Sequence, residues 1–316
     1  MEVGLFMEWN DYWNSLIKKY RLSETIKQLD IADAASERGK GYTEKTCKNV
    51  REVFLQNERN YSSVKDNFLK IIDAIPNVHS IGSRVKAIDS LLVKIISKRA
   101  EKYKVKSSYV NITGDNYSDI ITDLIGIRLV LHYQGQWREI HEQLIKLFPE
   151  NNCQDGVLLP HRQNEQFMAE PPIAYHAKGD DVTQFNGIIK AKLHEKGYRS
   201  NHYIISFQDV YIELQVRTIY DEAWSDYDHT YVYKKEANPN NDALTVLSPI
   251  LCKITNVASD IGELMRMIYE DSFATNESGS FVLDEMSYEK LKKLKDRFKE
   301  AEQDFKKFCF DHISSS

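Results

Sequence analysis

The feature that most constrains the fold is a pair of alternating segments, HYIISF at residues 202–207 and VYIELQV at 210–216, with two residues between them. Side chains along a strand point alternately to its two faces, and a two-residue loop can close an antiparallel hairpin. The two faces of the second strand differ: the apolar face carries Ile212, Leu214 and Val216, and the polar face carries Tyr211, Glu213, Gln215 and Arg217. The sequence therefore predicts a hairpin that turns at Gln208-Asp209 and anchors a sheet by one face.

The polar face of this strand has two interpretations. Glu213 lies between two aliphatic residues, where a carboxylate is poorly tolerated without a partner or a water-filled cleft. A row of polar groups at such a place can line a binding site. Alternatively, one face of an antiparallel sheet is commonly open to water, and alternation of apolar and polar residues is then ordinary. The pattern of this strand alone favours neither interpretation.

The first part of the chain is predicted to be helical. Aromatic and aliphatic residues recur at three- and four-residue spacing between about residues 8 and 72, and Pro76 closes that section. A new helix is expected from about Ser83. The segment ITDLIGIRLVLHY then predicts a strand at residues 127–133, which marks the start of a mixed α/β core.

The second part of the chain alternates between irregular and regular segments. Residues 150–186 are polar, contain proline and lack periodicity, which indicates an insertion or a mobile loop. Strands are predicted to resume at Tyr203. The string NPNND, which begins at Asn238, is expected to be a linker, and helices are predicted at about 243–269 and 287–310.

Composition limits the class of protein. The chain of 316 residues is 42% hydrophobic and 28% charged, as is usual for a folded, soluble protein. A net charge of −5 argues against a general nucleic-acid coat protein. The four cysteines are scattered without a CxxC pair, and neither a signal peptide nor a long uninterrupted apolar run is visible, so we expect a cytoplasmic protein with reduced thiols and no membrane partner.

The segment from Ser83 to Lys106 is strongly basic, with eight basic and two acidic residues. If it is helical, Lys86, Ser90 and Lys94 lie on one face at four-residue spacing. Such a ladder of cationic and hydroxyl donors could hold a polyphosphate. The alternative is a solvated, lysine-rich helix face, which is the usual explanation of a run of charges.

Asp123 comes just before the strand at 127–133, and Arg128 follows five residues later. A carboxylate at the mouth of a strand can hold magnesium, which prefers one or two carboxylates together with substrate phosphates. An ordinary cap with an Asp–Arg pair explains the pattern equally well. Asp123 gains interest because Glu213 could supply a second carboxylate.

The string GYRSNHY combines a glycine, an aromatic ring, a cation, a hydroxyl and an imidazole in seven residues. Such a loop could stack a base on Tyr198 and engage phosphate through Arg199, Ser200 or His202. A turn that enters a strand explains the string nearly as well. The glycine-rich phosphate loop and the dinucleotide fingerprint do not occur in the chain, so any phosphate site would depend on side chains.

Four segments in this order resemble the synthetase domain of the RelA/SpoT family: SRVKAIDSLLVK, ITDLIGIRLV, KGYRSNHY and IELQVRTIYDEAWSDYDHTYVYK. The resemblance covers roughly residues 60–235, and the helical C-terminal part is similar to the tail of the small, single-domain alarmone synthetases. It implies an α+β fold in which a nucleotidyltransferase-like mixed sheet is flanked by helices. The implied domains are an N-terminal helical extension (1–60), the synthetase domain (61–235) and a C-terminal helical extension (236–316).

The resemblance implies transfer of the β,γ-pyrophosphate of ATP to the 3′-hydroxyl of GDP or GTP, with Mg²⁺ as cofactor and ppGpp or pppGpp as product. The residues that would bind ATP are Arg84, Lys86, Ser90, Lys94 and Arg128. Asp123 and Glu213 would be the catalytic and metal-binding carboxylates. The residues that would bind the acceptor are Lys196, Tyr198, Arg199, Ser200, His202, Gln215 and Arg217.

The chain departs from the family pattern just before GYRS. Many members have a proline-lysine-x-asparagine run there, whereas this chain has His194 and Lys196, with Lys190 and Lys192 upstream. The acceptor therefore has alternatives, since toxic members of the family modify the 3′ CCA end of tRNA or make adenosine alarmones. A catalytically silent nucleotide sensor is an alternative from another class, although Asp123 and Glu213 are both retained.

Further domains of the long family members are not expected in this chain. Their hydrolase carries a histidine/aspartate metal site, but the first histidine here is His79 and no HD pair precedes the synthetase motifs. The residues after 235 leave too little room for the regulatory domains. We therefore expect a synthetase without hydrolase that is regulated by expression, by homo-oligomerisation or by a neutralising partner protein.

Overall fold

Three helices begin the described part of the chain. The computed structural model describes residues 8–101, 108–150, 153–154, 156–233, 241–271 and 285–313. The three helices are α1 (Trp9–Lys19), α2 (Ser23–Ala34) and α3 (Tyr42–Ile72), and they confirm the helical periodicity of this section. The domain boundary predicted near residue 60 falls inside α3, which is continuous across it.

Seven strands form one mixed sheet. Their bounds are Ser80–Val85 (β1), Ile125–Leu131 (β2), Phe167–Met168 (β3), Ile173–His176 (β4), Lys190–Leu193 (β5), Ser200–Phe207 (β6) and Val210–Thr218 (β7). The strand order is β1-β2-β7-β6-β4-β5, with β3 paired to β6. The pairs β2–β7 and β4–β5 are parallel, and the other pairs are antiparallel.

The other helices lie around this sheet. They are α4 (Ile88–Ala100), α5 (Trp137–Leu147), α6 (Ile219–Tyr227), α7 (Asn241–Asp271) and α8 (Glu285–Ile313). The α+β class predicted from the sequence is confirmed: a mixed sheet is flanked by helices, with helical extensions at both ends.

The predicted hairpin is confirmed as β6 and β7. Gln208 and Asp209 connect the two strands and have φ angles of 48° and 59°. Two consecutive residues in this left-handed region are characteristic of the tight turn that matches the twist of a hairpin. Phe207 and Val210 pair directly across the turn, which fixes the register of every residue beyond it.

The apolar face of the sheet forms the core. Ile212, Leu214 and Val216 are buried, as alternation along β7 predicted. Helix α3 packs on this core through Phe68, whose ring stacks on Phe148 with centroids 5.2 Å apart. Burial of such large apolar side chains is the main favourable contribution to folding, and here it leaves the opposite face of β7 available for polar groups.

The helix predicted from Ser83 begins later than expected. Residues Ser80–Val85 form β1, which pairs antiparallel with β2, and α4 begins at Ile88. Lys86 therefore lies on the connection between strand and helix, and the four-residue spacing from Lys86 to Lys94 does not reflect one helical face. Backbone pairing with β2 outweighed the local helical pattern.

The segment at 150–186 is more regular than predicted. It contributes β3 and β4 to the sheet, and β5 follows it directly. These strands have only two to four residues, too few for alternation to be recognised in the sequence. Their pairing depends on backbone hydrogen bonds, which leave no side-chain pattern.

The C-terminal helices α7 and α8 confirm the two helices predicted for this part of the chain, and α7 packs against both α6 and α8. The predicted linker NPNND begins outside the described residues, and its last two residues begin α7. By length and composition, the span Asp242–Tyr269 of α7 is the one helix among the described residues that could cross a membrane. Core helices of soluble proteins satisfy the same criterion, so this span alone does not place the chain in a membrane.

A buried ion pair joins α2 to α4. The guanidinium of Arg99 contacts both carboxylate oxygens of Asp33, at 3.0 and 3.1 Å, and the two side chains are only 3% and 6% exposed. The Thr43 hydroxyl donates a third hydrogen bond to the Asp33 carboxylate. This pair fixes the position of α4, the helix that also carries Lys94.

We predict that Arg99→Met lowers the free energy of unfolding by about 3–5 kcal/mol, because it leaves Asp33 buried without its cation. The neighbouring Lys98→Ala removes only an exposed pair with Glu101 and is expected to cost no more than about 1 kcal/mol. Urea denaturation of the two variants measures the difference. Equal losses of stability would contradict the importance of this pair.

Candidate active site

The polar face of the sheet brings the predicted residues into register. Glu213 on β7 pairs with Gly126 on β2, which pairs in turn with Arg84 on the edge strand β1. Paired residues of neighbouring strands project from the same face. Because Gly126 has no side chain, the Arg84 side chain can lie across it: a Cβ atom at Gly126 would be 3.6 Å from the Cγ and the Nε of Arg84.

The next two rows of the sheet follow the same order. One row contains Arg128, Gln215 and His202, and the row beyond it contains Arg217, Ser200 and Tyr175. The polar face predicted from β7 alone therefore extends across β2, β6 and β4.

Asp123 is held by two lysines at one end of this face. It lies two residues before β2, and its carboxylate is 2.8 Å from the Lys86 Nζ and 2.9 Å from the Lys94 Nζ. The side chains of Lys86, Asp123 and Lys94 are 10%, 18% and 26% exposed. The cluster joins the β1–α4 connection, helix α4 and the start of β2. It carries one excess positive charge, which suits it to an anionic ligand.

The three groups of this cluster affect one another's ionisation. Burial opposes the charge on Asp123, but Lys94 and Lys86 outweigh that effect, so the pKa of Asp123 lies below its ordinary value. Burial lowers the pKa of Lys86, with its attraction to Asp123 offsetting only part of the effect. For Lys94 burial also acts to lower the pKa, but Asp123 and other neighbours outweigh it and the pKa is raised. Asp123 is therefore an anion throughout the neutral range.

The pKa of Glu213 is shifted in the opposite direction to that of Asp123. Burial raises the pKa of this carboxyl group, and the negative charge of Asp123 raises it further. The Gln215 side-chain amide donates a hydrogen bond of 2.8 Å to Glu213, whose side chain is 23% exposed. Two neighbouring carboxylates whose pKa values are shifted in opposite directions are typical of sites that move protons.

His202 approaches Glu213 but does not neutralise it. The Nδ1 of His202 is 3.8 Å from a Glu213 oxygen. Burial, followed by the positive charge of Arg217, lowers the pKa of His202 to about 3. The imidazole is therefore neutral at pH 7, and Glu213 faces a polar ring rather than a cation.

The two carboxylates fit a magnesium ion. Their oxygens are the ligands that Mg²⁺ prefers, and the repulsion that raises the pKa of Glu213 would be relieved by a divalent cation. In the part of the chain that the structure describes, no group of three or more histidine, cysteine, aspartate or glutamate side chains could hold a metal ion. A metal at Asp123 and Glu213 would therefore need further ligands from a substrate, as Mg²⁺ usually takes from phosphates.

An aromatic group forms the other end of the polar face. The Tyr198 hydroxyl is 3.0 Å from the Nε2 of His202, and the Arg217 guanidinium lies over the Tyr198 ring at 5.5 Å from its centroid. Arg217 also hydrogen-bonds to Gln215 and pairs with Glu222 at 3.1 Å. These contacts link the aromatic end of the face to Glu213 through a continuous polar chain.

Two of the predicted arginines are held in ion pairs with carboxylates of the protein. Arg199 is buried and pairs with Asp180 and Asp260. Arg128 pairs with Glu222 at 2.8 Å and with Asp226 at 3.0 Å.

The remaining predicted residues differ in burial. Ser200 is buried in β6, whereas Arg84, Ser90 and Lys196 are exposed. The exposed side chains are accessible to a ligand.

Tyr211 does not share the exposure of the polar face. Its hydroxyl donates to the Leu159 carbonyl oxygen at 2.8 Å, and the His161 ring stacks on it with centroids 3.9 Å apart. The ring is 1% exposed, so the expectation that Tyr211 lines the site is wrong. The segment before β3 covers this end of β7, and nothing in the alternation of β7 could show that.

Tyr175 is the residue that the sequence analysis missed. It lies on β4, with its ring centroid 4.8 Å from that of His202 and 6.2 Å from that of Tyr198. The cation of Lys192 lies 5.7 Å from the Tyr175 centroid. Only recognition of β4 as a strand could have placed this ring on the polar face.

Comparison with known proteins identifies the family of the central part of the chain. A family model described as a region found in RelA/SpoT proteins matches residues 83–238. That range includes every residue of the polar face described above. No curated protein matches the chain.

Solved structures with a similar arrangement include three bacterial proteins. Small alarmone synthetase 1 from Bacillus subtilis has a TM-score of 0.44 and 14% identity, covering 70% of this chain and 97% of its own. The protein smu.1046c from Streptococcus mutans UA159 has a TM-score of 0.44 and 18% identity, covering 70% and 95%. A GTP pyrophosphokinase family protein from Streptococcus pneumoniae has a TM-score of 0.40 and 16% identity, covering 82% and 95%.

We predict that Glu213→Gln stabilises the protein at pH 7. The folded state raises the pKa of Glu213 above its ordinary value of 4.5, so ionisation above that pH destabilises the fold. A neutral amide removes this penalty. The gain should shrink as the pH falls through the raised pKa of the folded state and vanish below about 4.5, where the carboxyl group is protonated in both the folded and the unfolded state.

Denaturation curves at several pH values measure this effect. Glu142→Gln, on the exposed surface of α5, is the matched control and should not change stability with the same pH dependence. A wild-type protein that is more stable than Glu213→Gln at pH 7 would contradict the unfavourable environment of Glu213.

Proposed function

The chain carries a RelA/SpoT-family domain at residues 83–238, and from this premise we propose that it is a pyrophosphokinase that transfers the β,γ-pyrophosphate of ATP to the 3′-hydroxyl of GDP or GTP. The observation that carries the proposal is the pair Asp123 and Glu213, whose pKa values are shifted in opposite directions on one face of the sheet. Cations stand at one end of that face and aromatic rings at the other. This is the arrangement that transfer between two nucleotides requires.

The donor would bind at the cationic end. Lys86 and Lys94 now pair with a single carboxylate, and the polyphosphate of ATP offers them a larger negative charge. If phosphate oxygens replaced Asp123 as the partners of the two lysines, the Asp123 carboxylate would be released from both ion pairs. Arg84 and Ser90 are exposed close to this end and can add donors, while Arg128 remains tied to Glu222 and supports the sheet.

Asp123 and Glu213 would hold Mg²⁺ between the donor and the acceptor. When bound, the ion neutralises phosphate charge and makes a nearby hydroxyl easier to deprotonate. The residues of this chain keep Asp123 just before the start of β2 and Glu213 on the polar face of β7, close to the two lysines that would hold the donor phosphates. Transfer of this type depends on positioning and on charge neutralisation more than on covalent catalysis.

Glu213 would accept the proton of the 3′-hydroxyl. The hydroxyl oxygen forms a bond to the β-phosphorus of ATP, the bond from that phosphorus to the oxygen of the α-phosphate breaks, and AMP leaves. A raised pKa makes Glu213 a stronger base than an ordinary carboxylate. His202 is neutral at pH 7, so it does not form an ion pair with the Glu213 carboxylate.

The acceptor would bind at the aromatic end. The Tyr198 ring offers a surface on which a purine base can stack. Gln215, which is half-buried, and Lys196, which is exposed, can contact the ribose and the phosphates. Arg217 is buried against the Tyr198 ring and pairs with Glu222, so it supports that ring. The distance along the sheet from Tyr198 to Glu213 is bridged by Gln215 and Arg217, so base recognition and proton transfer belong to one continuous surface.

One observation favours a second candidate acceptor. The edge strand β5 brings Lys192 beside the Tyr175 ring, next to the proposed acceptor site, and Lys190 lies two residues earlier on the same face of the strand. A basic edge adjoining an aromatic group can hold the backbone of a single-stranded nucleic acid. The 3′ CCA end of tRNA is therefore the alternative acceptor.

Incubation with ATP labelled at the γ-phosphate and with GDP, GTP, AMP or tRNA tests the proposal. Chromatography of the products should show label in guanosine tetraphosphate or pentaphosphate. Label confined to tRNA would establish the second candidate, and label confined to an adenosine nucleotide would also refute the choice of guanosine acceptor. Without transfer to any of the four acceptors, the chain would not be a pyrophosphokinase.

We predict that Asp123→Asn and Glu213→Gln each lower the rate of transfer by about 10²–10⁴-fold, the usual contribution of a positioned acid or base. Both substitutions preserve size and remove only the charge. Glu142→Gln, on the surface of α5, should retain the wild-type rate. Circular dichroism checks that the variants are folded, and a folded Glu213→Gln protein with wild-type turnover would refute the role of Glu213.

We predict that Tyr198→Ala raises the KM for the acceptor and leaves the KM for ATP unchanged. Loss of stacking on one base costs about 1–3 kcal/mol, which is roughly tenfold in affinity. Tyr198→Phe keeps the ring and loses only the contacts of the hydroxyl with His202 and Ser200, so its acceptor KM should stay close to that of the wild type. Equal effects of the two substitutions would count against stacking.

A further inference from the structure

Arg199 stands beside the proposed base-stacking residue but points away from the polar face. Its guanidinium is 3% exposed and contacts the Asp180 carboxylate through two nitrogens, at 2.9 and 2.5 Å. A third nitrogen lies 3.0 Å from Asp260 and 3.3 Å from the carbonyl oxygen of Asn256, both on α7. The side chain is thus fully engaged in protein contacts and is not available to a phosphate group.

A second arginine completes a ring of four charges. Arg297 on α8 lies 2.8 Å from Asp180 and 2.5 Å from Asp260, the same two carboxylates that hold Arg199. The two arginines and two aspartates alternate, so the ring has no net charge. Burial opposes the charge of Asp180, but Arg199 and Arg297 outweigh it and lower the pKa of that group. Asp180 therefore stays ionised at neutral pH.

Helix α7 also holds the residue on the other side of Tyr198. Gly197 has a φ angle of 82°, in the left-handed region that favours glycine. The side-chain amide of Asn256 donates to the Gly197 carbonyl oxygen at 3.2 Å. A Cβ atom at Gly197 would come within 3.0 Å of the Cys252 sulfur, so the helix approaches the backbone closely at this point.

These contacts anchor the residues on both sides of Tyr198, Gly197 and Arg199. In extended backbone, consecutive side chains point in opposite directions, so anchoring Arg199 against α7 and α8 directs the Tyr198 ring toward His202 and Arg217. Asp180 also accepts from the Ala177 backbone N–H at 2.7 Å, which ties the end of β4 to the same ring of charges.

We propose that the C-terminal helices are part of the acceptor site, with Asp260 and Arg297 acting as positioning residues that hold Tyr198 in place through Arg199 and Asp180. The proposal rests on the proposed function, because it assigns these residues to the acceptor of that reaction. Asp260 and Arg297 lie beyond the family match at 83–238. Helices α7 and α8 would then contribute to acceptor binding in addition to stabilising the fold.

The chain offers a matched control. Lys253 on α7 pairs with Glu300 and Asp304 on α8, at 2.7 and 2.6 Å. This pair joins the same two helices as Asp260 and Arg297 but contacts neither Arg199 nor Asp180. Lys253→Ala and Arg297→Ala therefore each remove one link between α7 and α8, and only the second disturbs the ring.

Steady-state kinetics with ATP and GDP distinguish the two links. Arg297→Ala should raise the KM for GDP by about tenfold or more, as expected when a binding group is displaced, with the KM for ATP within about twofold of the wild type. Lys253→Ala should leave both constants unchanged. An unchanged KM for GDP in Arg297→Ala, or an equal rise in Lys253→Ala, would overturn the proposal. If Arg297→Ala does not fold, Asp260→Asn tests the same ring.

Hydrogen exchange separates this proposal from the proposed function, because it does not require turnover. Arg297→Ala should increase amide exchange at residues 177–181 and 196–199, whereas Lys253→Ala should not. Unaltered exchange at both segments would refute the positioning role even in an active enzyme. Absence of pyrophosphate transfer in the wild type, with increased exchange in Arg297→Ala, would instead refute the function and leave the coupling of α8 to these segments established.

Discussion

The ion pairs of Asp123 with Lys86 and Lys94 hold together the corner of the molecule on which the rest of the site depends. Each of the three side chains comes from a different segment: the β1–α4 connection, helix α4 and the residues before β2. Separating them would leave charges largely buried without partners, which is strongly unfavourable. The cluster therefore fixes α4 against the sheet and also keeps two cations ready for a ligand that is more strongly charged than a carboxylate.

The same cluster explains why the two carboxylates behave differently. Asp123 has two cations within 3 Å, whereas Glu213 has an amide and a neutral imidazole. The negative charge of Asp123 also acts on Glu213 and raises its pKa. A mid-strand glutamate with a raised pKa is unfavourable for stability, and groups of this kind are concentrated at functional sites.

The sequence predicted those parts of the molecule in which periodicity is strong. The β6–β7 hairpin and the long helices follow from alternation or from three- and four-residue spacing over many residues. The strand β1 was mistaken for helix because the spacing of Lys86, Ser90 and Lys94 coincides with helical turns, and only pairing with β2 reveals the strand. Strands β3 to β5 are too short to show a pattern, so Tyr175 could not be placed on the polar face.

Arg199 shows a different limit of sequence analysis. Its position next to Tyr198 predicts a shared role at a ligand, but alternation places neighbouring side chains on opposite sides of an extended backbone. Its partners are a loop aspartate and two residues of α7 that lie some sixty positions away, and no local pattern could indicate them. The C-terminal helices consequently appeared to be an extension of the domain rather than a support of its acceptor site.

A crystal structure of the chain with a non-hydrolysable ATP analogue and Mg²⁺ would test the central claim most directly. The account predicts that the polyphosphate contacts Lys86 and Lys94, and that the metal lies between the phosphates and the carboxylates of Asp123 and Glu213. A nucleotide bound elsewhere, with both lysines still paired to Asp123, would contradict it.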